Sequence, residues 1–229
     1  VPRGESVLPL KRAAAEPRIR YRFANLESPD LEDYLARNRA TGLVVLKGDT
    51  ILVERYQYDR RPEQRMASYA MAKAVVGMLV GIAISEGRIR SIDDRADAYV
   101  PALAGTPYGE TPIRHLLTMS SGIRYSETYG GSDDVAVLGR LSMGRESEGG
   151  AATVAPFRIR DRAPGERFNY ASADTQVLGL VLRAATGMPL ADYTRQQLVG
   201  PMDFAEPRYQ GSIAHLRTLD MAKLGQLYL

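Results

Sequence analysis

The sequence contains no cysteine, which excludes disulfides, thiolate nucleophiles and cysteine-built metal sites together and leaves the redox compartment open. It has only two histidines, His115 and His215, and no carboxylates cluster at ligand spacing. No zinc or other metal site is in view, and no cofactor is implied. No run approaches the roughly 18 consecutive apolar residues of a membrane-spanning helix. The oiliest stretch, Ala74 to Ile84, is broken by glycines. The start, Val1-Pro2-Arg3-Gly4, carries no apolar secretory segment, which leaves both a periplasmic or secreted and a cytoplasmic location open. One-sided charge is also lacking. The 30 basic and 27 acidic residues leave a net +3 that is spread along the chain, pointing to neither nucleic acid nor an anionic membrane. There is no internal repeat and no low-complexity tract.

What is present suffices for a real core: 229 residues, 45% of them hydrophobic. Residues 1–29, basic and proline-containing, read as an irregular arm. Ser28-Pro29-Asp30 signals the start of a helix over Leu31 to Arg39. Two β-branched runs, Thr41 to Lys47 and Thr50 to Tyr56, joined through Lys47-Gly48-Asp49, predict a hairpin. From Ala70 to Glu86 small and apolar residues run nearly all round, so the helix predicted there should be buried on most faces. Gly87 stands where a left-handed cap would end it. Ile113 to Ser120 and Ala173 to Thr186 read as further helices, the second closed by Gly187 with Pro189 beyond. Pro201 and Pro207 frame a loop, and Leu216 to Leu229 is helical again. A two-stranded hairpin is marginal alone, and the strands expected beside it are not found in these residues.

The chemistry centres on Ala70-Met71-Ala72-Lys73. Residue 70 falls at the first turn of the predicted helix, with Lys73 one turn later on the same face. A nucleophile at 70 would sit beside free backbone N–H groups and the positive end of the helix dipole. A desolvated lysine can lose its proton near neutral pH and serve as its base. These are the mechanics of the S-x-x-K motif, with alanine in the serine position.

Four further stretches carry a family resemblance. They are Glu86-Gly87-Arg88-Ile89 with Ile92-Asp93-Asp94, Thr111 to Gly122 (TPIRHLLTMSSG), Pro164 to Ser172 (PGERFNYAS), and Val177-Leu178-Gly179 with Thr186-Gly187. In this order the chain resembles the serine β-lactamase and penicillin-binding-protein superfamily. It is most similar to the class C-like branch, with the family VIII-type carboxylesterases and 6-aminohexanoate-dimer hydrolases.

That resemblance implies an α/β (α+β) fold: an antiparallel sheet flanked by helices and built from both chain ends, with an inserted helical region and the site in the cleft between the two parts. It assigns residues 30–65 and 211–229 to the sheet domain and 66–210 to the nucleophile helix and the mostly helical region, after the 1–29 arm. It implies two-step acyl transfer on a small-molecule ester, amide or β-lactam, through an acyl-enzyme. Ala70 holds the nucleophilic serine's place, and Lys73 would be the base, or part of a shared proton network, for activating that serine. Tyr170 would be the second proton-transfer group, taking the serine proton or protonating the leaving amine or alkoxide, with its phenol pKa lowered by Lys73. Ser172 takes the substrate-binding position where the family often has asparagine, and Tyr69 is a second substrate-binding candidate. The oxyanion hole would combine the backbone N–H of residue 70 with one from a strand. That strand, and the third motif (Lys-Thr-Gly or His-x-Gly), would follow Leu229. The stretch Glu206 to Gly211 is shorter than the family's loop.

Alternatives remain open at several residues. Ala70 fits an engineered serine-to-alanine change or a natural pseudoenzyme. Ser68 reads as a helix-start or loop residue, since five positions from Lys73 turn it to another face. His115, inside an apolar pattern, reads as a packing histidine rather than a triad base. Tyr69, Tyr125 and Tyr129 either line the cleft or are half-buried aromatics. Asp93-Asp94 reads as a cap or surface turn.

Overall fold

A computed structural model describes residues 10–24, 30–143, 150–202, 204, 208–210 and 213–227. Ser28, Pro29 and Leu229, and Glu206, Pro207 and Gly211 of the Glu206 to Gly211 loop, lie outside the described residues. The chain divides into two compact units, one of residues 1–68, 198–208 and 214–229, the other of 69–197 and 209–213.

The first unit is built on a sheet. Strand β1 (Lys11–Arg12) pairs in parallel with β3, whereas β2 (Gly42–Lys47) and β3 (Thr50–Tyr56) form the predicted hairpin, with a register shift between Val45 and Leu46. The arm read as irregular therefore supplies a neighbour strand, and one strand pair of this sheet is parallel. Two basic residues carry no alternation to betray a strand, but Arg12 is held there by a salt bridge to Glu54. Helix α1 (Leu31–Arg37) starts on Asp30, whose side chain accepts from the Asp33 N–H at 3.0 Å. Strand β4 (Met66–Ala67) pairs antiparallel with β6 (Ile213–Leu216); β5 is Arg208–Gln210. The last helix of the first unit is α7 (Thr218–Gln226), shorter than the predicted Leu216 to Leu229 because Leu216 is opposite Met66 in the strand ladder. Asp220, fully buried, is gripped by both arms of Arg217 at 2.8 Å. Leu35, Ile51, Val53 and Leu216 are buried in this unit.

The second unit is helical. Helix α2 (Met71–Ser85) buries Ala72, Val75, Val76, Leu79, Val80 and Ala83, and Gly87 follows at φ +71°. Burial is less complete than its composition suggests, since Met71, Ala74, Gly81 and Ser85 form an exposed stripe. Helix α3 (Ile113–Leu117) stops three residues before the predicted Ser120, because Met119 turns into the left-handed region at φ +52°. Helix α4 (Asp134–Met143) was not predicted. Helix α5 (Ser172–Thr186) packs on both α2 and α3 and buries Ala173, Val177, Val181 and Leu182. Gly187 ends it at φ +68°. Short α6 (Leu190–Thr194) follows. Each buried aliphatic side chain here removes enough apolar surface from water to contribute about 1.5–3 kcal/mol, so the α2 to α5 seam is the frame on which the adjoining first turns are held.

Candidate active site

A cavity of about 300 Å³ opens within the second unit, at the first turns of α2 and α5. Tyr69, Ala70, Lys73, Tyr170 and Ser172, every site residue expected from sequence, line it. The far wall comes from the apolar side of α4, through Val135, Leu138, Gly139 and Met143. The loop before α4 adds Glu127 and Tyr129.

Ala70 occupies the N-cap position of α2 and, having only a methyl group, makes no side-chain cap. Its carbonyl accepts from the Lys73 N–H at 3.0 Å, which places the two one turn apart. Lys73 Nζ donates to Ser172 Oγ at 2.8 Å and stands 5.3 Å from the centre of the Tyr170 ring. The second distance is a cation–π geometry. Burial is the main influence on the Lys73 ammonium and lowers its pKa, opposed by the negative charges of Glu127 and Asp174. That is the direction a lysine base requires.

For Tyr170 the expectation is corrected. Its phenol pKa is raised, first by burial and then by the charge of Glu127. Lys73 does not reverse this, because burial and the Glu127 carboxylate both work against ionising the phenol. A raised pKa favours the protonated phenol.

Two carboxylates were missed by the sequence reading. Glu127 accepts from the Ser172 N–H and the Ser172 hydroxyl, each at 2.8 Å, and from Tyr129 Oη at 2.7 Å. The last bond, with some burial, pushes the Tyr129 phenol up to about 12. Asp174 is fully buried on α5; one oxygen accepts from Ser121 Oγ at 2.9 Å and Tyr108 Oη at 3.1 Å, while the other has no hydrogen-bond partner among the described residues. Burial raises its pKa to about 7 despite those two bonds.

The remaining candidates lie elsewhere. Ser68 is buried in the loop before α2, its hydroxyl has no hydrogen-bond partner among the described residues, and it does not line the cavity. His115 packs its ring beneath Gly165, with Nδ1 3.4 Å from Ser120 Oγ. Tyr125 is buried edge-on to Phe157 at 5.1 Å, away from the cavity, whereas Tyr69 and Tyr129 are both 73% exposed at its mouth. Asp93 is a two-pronged partner for Arg114 at 2.8 and 3.2 Å, and Asp94 accepts from Tyr99 Oη at 2.6 Å. Among the described residues no group of three or more potential ligands could hold a metal ion, and no helix is long and apolar enough to cross a membrane.

Residues 29–221 match the family model described as Beta-lactamase. The chain belongs to the beta-lactamase family. It is 30% identical over 193 residues to the 6-aminohexanoate-dimer hydrolase of Paenarthrobacter ureafaciens, covering 82% of this chain and 49% of that protein. A D-alanyl-D-alanine carboxypeptidase assignment from Escherichia coli strain K12 is 25% identical over 122 residues, 52% of this chain and 27% of that one. The chain thus spans half or less of the length of these curated relatives. Among solved structures, a Bacillus anthracis protein provisionally named a 6-aminohexanoate-dimer hydrolase superposes with a TM-score of 0.80 at 21% identity, over 98% of this chain and 62% of that one. The octameric penicillin-binding protein homologue from Pyrococcus abyssi gives 0.66 at 17% identity, over 86% and 54%. At such identities these likenesses show a shared fold. The mixed α/β architecture of the beta-lactamase family member is thus the β-lactamase/transpeptidase fold, and the family is one of serine hydrolases.

Proposed function

We propose that this chain belongs to a serine hydrolase that cleaves ester or amide bonds through an acyl-enzyme, and that Ala70 replaces its nucleophile. The observation that carries this reading is the convergence of residue 70, Lys73 and Tyr170 on one cavity, with Lys73 depressed in pKa by burial. With a serine at 70, Lys73 takes the hydroxyl proton as Oγ bonds to the substrate carbonyl carbon. Tyr170 gives a proton to the departing amine or alkoxide as the carbon–nitrogen or carbon–oxygen bond breaks. Water then releases the acyl group by the reverse proton traffic. The oxyanion would be held by the N–H of residue 70 and a second N–H from a strand. An amide is the favoured substrate class, in keeping with the name of the relative from P. ureafaciens.

The alanine favours an engineered change made to trap an intact ligand. A chain with no reaction to perform gains nothing from a half-buried lysine, whose desolvation costs stability. A second reading, a natural ligand-binding or regulatory pseudoenzyme, draws on the same alanine. Making Ala70→Ser in the full-length protein and adding a fluorophosphonate probe or a chromogenic short-chain ester separates the two. Covalent labelling at 70 with turnover is expected; silence in both assays would overturn the hydrolase reading.

A further inference from the structure

Glu127 stands outside the nucleophile, base and tyrosine roles, yet it ties the cavity together. Ser172 has one hydroxyl proton, and that proton goes to Glu127 Oε1 at 2.8 Å. Its oxygen is thereby left as the acceptor for Lys73 Nζ, also at 2.8 Å. The Ser172 N–H fixes the other carboxylate oxygen, and Tyr129 Oη adds a third donor. The order is therefore determined along the whole chain: Lys73 N–H to Ser172 Oγ, Ser172 O–H to Glu127. With three donors already on two oxygens, Glu127 has little left to offer a ligand, so a substrate-binding role fits it poorly.

We infer that Glu127 is a positioning residue: acting through Ser172, it fixes where Lys73 holds its nitrogen and which way the Ser172 proton points. One N–H of the lysine is committed to Ser172. The nitrogen lone pair, once the ammonium has lost its proton, is then free to face the first turn of α2, where residue 70 stands. Of the two carboxylates that oppose the loss of charge at Lys73, Glu127 has the larger effect. The titratable groups around Lys73 are Tyr69 just ahead of α2, Glu127 and Tyr129 from the loop before α4, Tyr170 ahead of α5 and Asp174 from within it; the α4 residues that line the cavity include none.

The inference rests on Lys73 being the base proposed above, but it can be tested without any catalysis. The chain has lysines only at 11, 47, 73 and 223, so ¹³Cε-lysine labelling gives four NMR signals, and Lys73→Arg assigns one of them. In the chain as it stands, with Ala70, the Lys73 signal should titrate below the ordinary lysine value of 10.5. Glu127→Gln should move its midpoint lower still, and Glu127→Asp, which keeps the charge, should restore part of the difference. Ser172→Ala, which cuts the link from the other side, should broaden or displace the Lys73 signal. If Glu127→Gln and Ser172→Ala are both folded by circular dichroism and leave the Lys73 titration and line shape unchanged, the inference is overturned. Should Glu127→Gln fail to fold, Ser172→Ala decides alone. A normal Lys73 response with no labelling after Ala70→Ser would instead sink the hydrolase reading and leave the positioning role standing.

Discussion

Lys73 Nζ lies 2.8 Å from Ser172 Oγ although 99 positions separate them in the chain. They meet because α2 and α5 pack together and each residue sits in the first turn of its helix. A hydrogen bond to a charged donor contributes more than a neutral one, at about 1.5–3 kcal/mol, although partial exposure weakens it. Ser172→Ala should therefore reduce the unfolding free energy by about 1 kcal/mol, measured by denaturant titration of the second unit's signal. An unchanged midpoint would mean that the bond does not form in solution.

With serine installed at 70, Tyr170→Phe removes the only group assigned to protonate the leaving atom. The turnover number should fall by about 10²–10⁴-fold with KM little altered, because the lost interaction belongs to the transition state. Steady-state kinetics on an amide and on an activated ester would check this. The activated ester, whose leaving group needs no proton, should suffer less.

Asp174 gives the fold an unusual pH dependence. Its pKa is raised from 3.8 to about 7 in the folded state, so between those values the native chain holds a proton that the unfolded chain has released. Stability should fall as pH rises through this window. Lys73 acts in the opposite sense at higher pH. Its folded pKa is lowered, so its contribution recovers as pH rises toward 10.5. Thermal melts from pH 4 to 8 should show a declining midpoint, and Asp174→Asn should flatten the decline. A midpoint that rises steadily over that range would contradict the assignment.

Gly122 and Gly87 both adopt positive φ, at +74° and +71°. A Cβ at Gly122 would meet the Arg162 carbonyl oxygen at 2.1 Å, whereas one at Gly87 would meet nothing within 4 Å. Gly87→Ala should cost about 1 kcal/mol, the strain of a left-handed alanine. Gly122→Ala should cost distinctly more, because backbone must move. Comparable losses in paired melts would show that the crowding at Gly122 relaxes easily.

The parts of this molecule that were legible in sequence are those whose signal is local. The hairpin announced itself through β-branched runs around Gly48, and α2 and α5 through apolar periodicity closed by Gly87 and Gly187. Helix α4 was missed, although Asp133 caps it by accepting from the Ala136 N–H at 3.3 Å and Val135, Leu138 and Ser142 recur at helical spacing. Its short stretch lies among glycines and polar residues that read as loop. Glu127 and Asp174 were illegible for a different reason. Their partners lie 45 and 53 positions away, so only the fold reveals that each is an acceptor with donors waiting. The Tyr170 shift runs opposite to the expectation because its largest cause is burial, followed by the charge of Glu127, and neither was visible in sequence as Lys73 was.

Tyr69 and Tyr129, the two exposed aromatics at the cavity mouth, both have left-handed backbones, at φ +44° and +58°. Bulky residues adopt that conformation only where the surroundings enforce it, at a cost of order 1–3 kcal/mol each. The mouth is therefore wound into shape before any ligand arrives. A portion of the folding free energy is held there as tension, so a ligand would meet a preorganised rim instead of having to order one.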